Sequence, residues 1–253
     1  MSSTPEAGHE YDSGFYDYIN SGSSRSAAVV CPRVVQWLAP GSLLDVGSGA
    51  GAWCRAWSAA GIPDVAAVDG DYVDAKSLLI DPSTFFPRDI STSFDMGRRF
   101  DLVTSLEVAE HIAQGEADVF VDNLVRHGDV VLFSAAVPGQ GGEFHVNEQP
   151  LDYWREKFRA RGYRCFDPLR PLIQGMRDVE PWYRYNTLLY VAAPRARSLP
   201  DSVLATEVAG GQPVADVSPL SWRLRNGLIR MMPDSARNLA VSVKHRVMRR
   251  KAH

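Results

Sequence analysis

The sequence predicts an α/β fold built around a doubly wound, mostly parallel sheet. Short apolar runs alternate with segments of helical periodicity over the first 195 residues, which is the pattern of βαβ units. A glycine-rich turn follows the first apolar run and leads directly into a helical pattern. The chain has 253 residues, and 45% of them are hydrophobic, which is enough to cover both faces of a parallel sheet.

The first strand and its turn, residues 43–51, carry the strongest signal. The apolar run includes Asp45, and Gly47, Gly49 and Gly51 then alternate with other residues. Glycine lets such a turn fold tightly and lets a ligand approach the backbone. The helix N-terminus that follows favours an anionic group. The glycines also fit a dinucleotide-binding fingerprint. They therefore predict a nucleotide-type ligand but do not distinguish one such ligand from another.

The position of Asp45 favours one kind of ligand. A carboxylate two residues before the first glycine would repel a pyrophosphate and attract a cationic head group. The segment resembles the first motif of class I S-adenosylmethionine-dependent methyltransferases, whose ligand carries a sulfonium and an ammonium group. The resemblance implies S-adenosyl-L-methionine as the cofactor, bound by Asp45, Gly47, Gly49 and Gly51. It also implies a seven-stranded sheet with an antiparallel last strand.

Two further acids follow at spacings that fit this family. The apolar run 65–68 ends at Asp69 and Gly70, one helix and one strand after the glycine turn. An acid at this place can hold a ribose diol by two hydrogen bonds. Asp89 and Ile90 come about twenty residues later. The resemblance implies that Asp89 accepts a hydrogen bond from the adenine amine and that Ile90 packs on the ring.

The next motif follows a buried strand that begins near residue 100. Class I methyltransferases carry a Glu-x-x-Glu-His sequence after such a strand, and Glu107, Glu110 and His111 match it. The resemblance implies that Glu107 lies at the carboxyl end of the fourth strand, over the cofactor. Glu110 and His111 are expected to open a helix. A fifth strand is predicted at residues 130–137.

The glycine-rich loop 138–150 follows the fifth strand, at the edge where α/β enzymes hold reacting groups. Methyl transfer from a sulfonium requires the enzyme to position the nucleophile and, for a hydroxyl, to remove its proton. A neutral imidazole suits that proton transfer. The sequence therefore predicts His145 as the base with Glu148 as its orienting partner, and His111 as the second candidate. A purely structural role for each histidine is the alternative.

No metal site is predicted. The three cysteines, Cys31, Cys54 and Cys165, lack Cys-x-x-Cys spacing, which argues against zinc and against a disulfide framework. No cluster of aspartate or asparagine suggests a catalytic magnesium. The chain shows neither a signal peptide nor a run of about 20 apolar residues that would span a membrane. A cytoplasmic location is therefore expected.

Composition and charge divide the chain into three predicted parts. Residues 1–195 form the methyltransferase domain, whose tyrosine-rich arm at 11–18 is either a lid over the cofactor or a leader packed on the domain. Residues 196–218 form a linker. Residues 219–253 contain nine basic residues and one acid, a net charge of +8 that leaves −11 on the rest of the chain.

The C-terminal part, 219–253, is predicted to form a tail of two short basic amphipathic helices. Apolar residues recur at helical spacing on one face, and arginine and lysine occupy much of the remainder. Such helices often lie on anionic membranes, here the inner face. Docking on the domain or on a second subunit, and disorder, are the alternatives. The acidic body argues against a nucleic-acid partner.

These observations predict an S-adenosylmethionine-dependent methyltransferase that methylates an oxygen of a small-molecule, sugar or lipid-linked acceptor. The segments after the fifth strand resemble those of enzymes from glycan and natural-product pathways. Two alternatives stay open: an N-methyltransferase of an amino sugar or natural product, and a non-catalytic S-adenosylmethionine-binding partner protein. A nicotinamide-dependent reductase is disfavoured by the charge of Asp45. The acceptor and the oligomeric state are not predicted.

Overall fold

The computed structural model describes residues 13–231, with side chains from residue 21 onward. Seven strands form one sheet in the order β3-β2-β1-β4-β5-β7-β6. The strands are β1 Ser42–Val46, β2 Asp64–Asp69, β3 Phe85–Pro87, β4 Leu102–Leu106, β5 Val130–Ser134, β6 Tyr163–Phe166 and β7 Leu188–Ala192.

Six strands of the sheet are parallel to one another, and β7 runs against them. Strand β1 pairs in parallel with β2 and β4, and the ladder continues in parallel to β3 on one side and β5 on the other. Strand β7 lies between β5 and β6 and is antiparallel to both. The predicted fold, with its antiparallel last strand, is confirmed. Strand β3 could not be located from the sequence, because three residues are too short to show a period.

Helices cover both faces of the sheet, because neighbouring residues of each strand point to opposite sides. On β1, Leu43 packs into one apolar cluster and Leu44 into the other, and Leu102 and Val103 on β4 do the same. The described α-helices are α1 Ser13–Leu38, α2 Ala52–Ala59, α3 Ala117–His127, α4 Leu151–Arg159, α5 Arg170–Ile173, α6 Pro181–Asn186, α7 Ala193–Ala196, α8 Asp201–Leu204 and α9 Leu220–Met231.

The chain after β4 differs from the predicted helix start. Ala109–His111 forms only one turn of 3-10 helix, and α3 begins at Ala117. The reason is that the carbonyl of Glu110 accepts hydrogen bonds from the N–H groups of Val146 and Asn147, at 2.9 and 3.0 Å. That carbonyl is turned to the loop after β5, so it does not continue a helix.

The segment between β7 and α9 lies along the domain. The N–H of Val208 donates to the carbonyl of Cys165 on β6, and the guanidinium of Arg170 donates to the carbonyl of Ala215. The predicted second tail helix lies outside the described residues, as do residues 11 and 12 of the tyrosine-rich arm. In the part of the chain that the structure describes, no helix has the length and apolarity to cross a membrane.

Candidate cofactor and catalytic site

The loop 47–51 crosses the carboxyl end of β1 and leads into α2. Gly47, Gly49 and Gly51 have φ angles of 82°, 53° and 85°, in the left-handed region that side chains disfavour. A Cβ on Gly47 would lie 2.4 Å from a methyl of Val108, whereas a Cβ on Gly49 would meet nothing within 4 Å. The loop is therefore packed on protein at Gly47 and faces open space at Gly49.

Asp69 ends β2 and fixes this loop through its buried carboxylate. Its Oδ2 accepts a hydrogen bond from the N–H of Gly49 at 2.6 Å. Its Oδ1 accepts from the N–H of Gly70 at 2.7 Å and from the hydroxyl of Tyr72. Burial raises the pKa of Asp69, and these hydrogen bonds oppose that rise. The predicted ribose-binding acid thus lies beside the open space at Gly49.

Asp45 lies beneath the glycine loop, where only 3% of its surface is exposed. Its Oδ1 accepts a hydrogen bond from Thr104 Oγ1 at 2.6 Å, and its Oδ2 accepts from Cys54 Sγ at 3.4 Å. Burial raises the pKa of Asp45 from 3.8 to about 6, although both hydrogen bonds lower it. The structure thus places this acid as a link between β1, β4 and α2, under the loop.

Asp89 and Ile90 follow β3 at the same edge of the sheet. Asp89 is exposed, and its Oδ1 accepts hydrogen bonds from the N–H and hydroxyl of Ser91, at 3.0 and 2.6 Å. Ile90 is buried in the apolar core. The neighbouring N–H of Arg88 donates to the carbonyl of Asp69 at 2.8 Å. The turn that carries Asp89 is therefore attached directly to the end of β2.

Glu107 follows β4 with a φ of 58° and lies among polar groups from distant parts of the chain. Its carboxylate accepts hydrogen bonds from Gln140 Nε2 at 2.7 Å and Asn186 Nδ2 at 3.5 Å. Asn186 Nδ2 also donates to Gln140 Oε1 at 2.8 Å. Burial raises the pKa of Glu107. Gln140 and Asn186 could not be predicted from the sequence, because no local motif marks them.

The structure brings His145, His111 and Glu148 together at the loop after β5. His145 Nδ1 lies 2.9 Å from Glu148 Oε1, and His145 Nε2 lies 3.9 Å from Glu110 Oε1. The rings of His111 and His145 meet edge to face with their centroids 5.0 Å apart. These four residues, Glu110, His111, His145 and Glu148, are called the His–Glu cluster below.

Glu148 holds the loop in this shape. Its two oxygens accept hydrogen bonds from the N–H groups of Gly139 and Gly141, both at 2.7 Å, in addition to His145 Nδ1. Burial would raise the pKa of Glu148, but these hydrogen bonds outweigh it and the pKa is lowered. Glu148 is therefore the ionised partner of His145, and the carboxylate fixes the proton of His145 on Nδ1.

Glu110 and His111 are electrostatically unusual. Only 1% of the surface of Glu110 is exposed, and its Oε2 has no hydrogen-bond partner among the described residues. Burial, reinforced by the nearby charge of Glu107, raises the pKa of Glu110 well above its ordinary value. Desolvation and the neighbouring His145 lower the pKa of His111 to about 4. The cluster thus favours neutral forms of both groups.

Comparison with known proteins agrees with this site. Residues 27–134 match the sequence profile of a family described as methyltransferase domain. This part of the chain is similar to methyltransferase domains. This region contains the glycine loop, Asp69, Glu107 and His111, and it ends at the last residue of β5. The match confirms the family resemblance that the motifs predicted. No curated protein matches the chain at a significant level.

Solved methyltransferase structures share the fold at low sequence identity. A sugar N-methyltransferase from Streptoalloteichus sp. ATCC 53650 is 19% identical, with a TM-score of 0.56 over 76% of this chain and 98% of that chain. DesVI of Streptomyces venezuelae is 17% identical, with a TM-score of 0.55 over 73% and 100%. An amino pentose methyltransferase from Micromonospora echinaspora, solved with S-adenosylmethionine, is 16% identical, with a TM-score of 0.53 over 75% and 100%.

Asp45 is expected to make the stability of the ligand-free protein depend on pH. The pKa of Asp45 in the folded state is raised from 3.8 to about 6. Its contribution to the free energy of unfolding is therefore full below pH 3.8 and is lost as the pH rises through 6. The loss between pH 4 and pH 7 is about 2 kcal/mol. Urea unfolding of wild type and Asp45→Asn at both pH values measures this loss, because the free energy of unfolding of the variant does not depend on titration of residue 45. The control is Asp71→Asn, which replaces an exposed acid nearby. An identical pH dependence of stability in wild type and Asp45→Asn would contradict the raised pKa of Asp45.

Proposed function

We propose that the protein is an S-adenosylmethionine-dependent methyltransferase that methylates a hydroxyl of a small-molecule, sugar or lipid-linked acceptor. One observation carries the proposal. The open space at Gly49 and Asp69 and the His–Glu cluster belong to the same carboxyl edge of the sheet, where ligands of open α/β sheets bind. Glu107 connects the two, because it leaves β4 at this edge and accepts a hydrogen bond from Gln140 of the loop after β5.

The residues around the glycine loop fit the cofactor. Space is available at Gly49, the buried carboxylate of Asp69 lies beside it, and the N-terminus of α2 favours the ligand's carboxylate. When bound, S-adenosylmethionine supplies an activated methyl group on its sulfonium. In this proposal Asp69 binds the ribose hydroxyls, Glu107 faces the cofactor's cationic end, and Asp89 and Ile90 flank the adenine.

The His–Glu cluster supplies the acceptor side of the site. His145 directs Nδ1 to Glu148, which leaves the lone pair of Nε2 available to the acceptor's hydroxyl. Phe144 and Val146, on either side of His145, expose apolar surface that suits an organic acceptor. The chain's own groups would thus hold the hydroxyl, take its proton and orient its oxygen toward the methyl group.

Methylation of an amino sugar nitrogen is the second candidate function. One structural neighbour is described as a sugar N-methyltransferase and another as an amino pentose methyltransferase. The cluster favours oxygen, because a hydroxyl must be activated before it attacks whereas a neutral amine already offers its lone pair. Identification of the methylated atom in the product by NMR distinguishes the two.

Replacement of Asp69 by alanine is expected to weaken binding of S-adenosylhomocysteine by about 1–3 kcal/mol, because hydrogen bonds to a buried carboxylate are lost. Isothermal titration calorimetry on the full chain measures the change. Asp71→Ala, two residues away and exposed, is the matched control and should bind like wild type. Equal affinity in Asp69→Ala, or binding of NAD in place of S-adenosylhomocysteine, would contradict the cofactor assignment.

Replacement of His145 by alanine is expected to lower turnover by about 10²–10⁴, because acceptor activation depends on this imidazole. Affinity for S-adenosylhomocysteine should stay near wild type. Transfer of a labelled methyl group to hydroxyl acceptors from a panel of sugars and lipid-linked sugars measures turnover. Val146→Ala, in the same loop and exposed, is the control. Turnover near wild type in His145→Ala would show that positioning alone drives the transfer.

We further propose that the basic tail binds an anionic membrane surface. Helix α9 docks on the domain through one face: Arg225 donates to the carbonyl of Gln140 at 2.9 Å, and Trp222 packs on Tyr185. Its opposite face carries an exposed apolar stripe on a segment whose net charge is +8, which suits an anionic bilayer. The exposed fractions are 70% for Leu220, 61% for Leu224, 61% for Leu228 and 76% for Met231.

Substitution of Leu224→Ser and Leu228→Ser together is expected to reduce flotation of the full chain with phosphatidylglycerol vesicles. Each surface-facing basic residue adds about 1 kcal/mol, so binding should also fall at 1 M salt, where the Debye length is about 3 Å. Leu172→Ser, another half-exposed leucine, is the control. Flotation that is insensitive to the substitutions, to anionic lipid and to salt would show that the stripe contacts protein.

A further inference from the structure

Three metal-ligating side chains converge inside the His–Glu cluster. Glu110, His111 and His145 each offer one donor atom, and these three atoms lie within 4.8 Å of one another. Two imidazoles and one carboxylate form a donor set that suits zinc and neighbouring divalent transition metals. No metal site was expected from the sequence, because the chain lacks cysteine pairs and aspartate clusters at ligand spacing. Here the fold joins residues that are 34 positions apart in the chain.

Both histidines are held in the orientation that metal ligands require. His145 Nδ1 contacts Glu148 Oε1 at 2.9 Å, and His111 Nδ1 contacts the carbonyl of Phe144 at 3.3 Å. Carboxylates and carbonyls accept hydrogen bonds, so both protons reside on Nδ1 and both Nε2 atoms keep a lone pair. Metal-ligating histidines almost always donate their second N–H to such an oxygen.

One oxygen of the third ligand lacks a partner. Only 1% of the surface of Glu110 is exposed, and its Oε2 has no hydrogen-bond partner in the described part of the chain. The backbone N–H groups of Glu110 and Ala136 donate to the carboxyl group, and its Oε1 faces His145 Nε2 at 3.9 Å, which is too long for a hydrogen bond. A buried carboxylate oxygen without a partner is costly. A divalent cation between these atoms would satisfy the carboxylate and both imidazole nitrogens together.

We propose that Glu110, His111 and His145 bind one divalent cation of the zinc type. Glu148 orients His145 as a second-sphere partner, and the exposed edge of His111 gives the ion a path from solvent. Three protein ligands leave a coordination position open. This inference rests on the proposed function in one respect: the open position would take the acceptor's hydroxyl oxygen and lower its pKa. In the metal-loaded protein His145 binds the ion through Nε2 and does not act as the base, so the ion activates the hydroxyl and the proton passes to water.

Metal binding is tested without the cofactor or an acceptor. The full-length, untagged chain is stripped with a chelator and titrated with ZnCl₂ in a calorimeter, and with CoCl₂ followed by visible absorption. We expect one ion per chain. His111→Ala, His145→Ala and Glu110→Gln should each lower the affinity at least tenfold, and Glu148→Gln about 10–100-fold. Glu116→Gln, an exposed acid on the next turn, should bind like wild type.

Thermal unfolding separates loss of the site from loss of the fold. Zinc should raise the unfolding temperature of wild type and of Glu116→Gln, but not that of folded Glu110→Gln. No stoichiometric uptake by wild type, or equal uptake by all three ligand variants, would overturn the inference. Binding of S-adenosylhomocysteine to the stripped protein is measured separately, so failure of the metal site is distinguishable from failure of the proposed function.

Discussion

The hydrogen bonds to the carboxylate of Glu148 are the interaction on which the proposed acceptor side of the site depends. It accepts two backbone N–H groups, from Gly139 and Gly141, together with Nδ1 of His145. Charge-assisted hydrogen bonds of this kind are about twice as strong as neutral ones. They close the loop after β5, fix the tautomer of His145 and bring it to Glu110. Without this carboxylate, a loop with three glycines would have no single shape.

The cofactor side has a different organisation, since it is built from consecutive motifs on adjacent parallel strands. Asp45 ties β1 to β4 and α2 beneath the loop, and Asp69 ties β2 to Gly49 within it. The two sides meet at Glu107, which extends from β4 and is bound by Gln140 of the loop after β5. Helix α9 contacts the same loop through Arg225, so the proposed membrane tail adjoins the site.

The sequence was sufficient to predict the fold and the strand ends at which the proposed cofactor-binding residues lie, because their signals are local. The glycine turn, the strand and acid at Asp69, and the strand before Glu107 each occupy a few consecutive residues. The rest depends on contacts between distant segments. The hydrogen bonds among Glu107, Gln140 and Asn186 span 79 residues, and no hydrophobic periodicity or sequence motif indicates them. The predicted helix at Glu110 does not form for the same reason. The carbonyl of Glu110 accepts hydrogen bonds from the distant loop after β5.

The proposed function requires that the glycine loop and the His–Glu cluster face one common ligand space. A crystal structure of the full chain with S-adenosylhomocysteine tests it most directly. We expect Asp69 to contact the ribose hydroxyls and the sulfur to point past Glu107 toward His145. S-adenosylhomocysteine bound away from Gly49, or with its sulfur directed to the side opposite the cluster, would contradict the account.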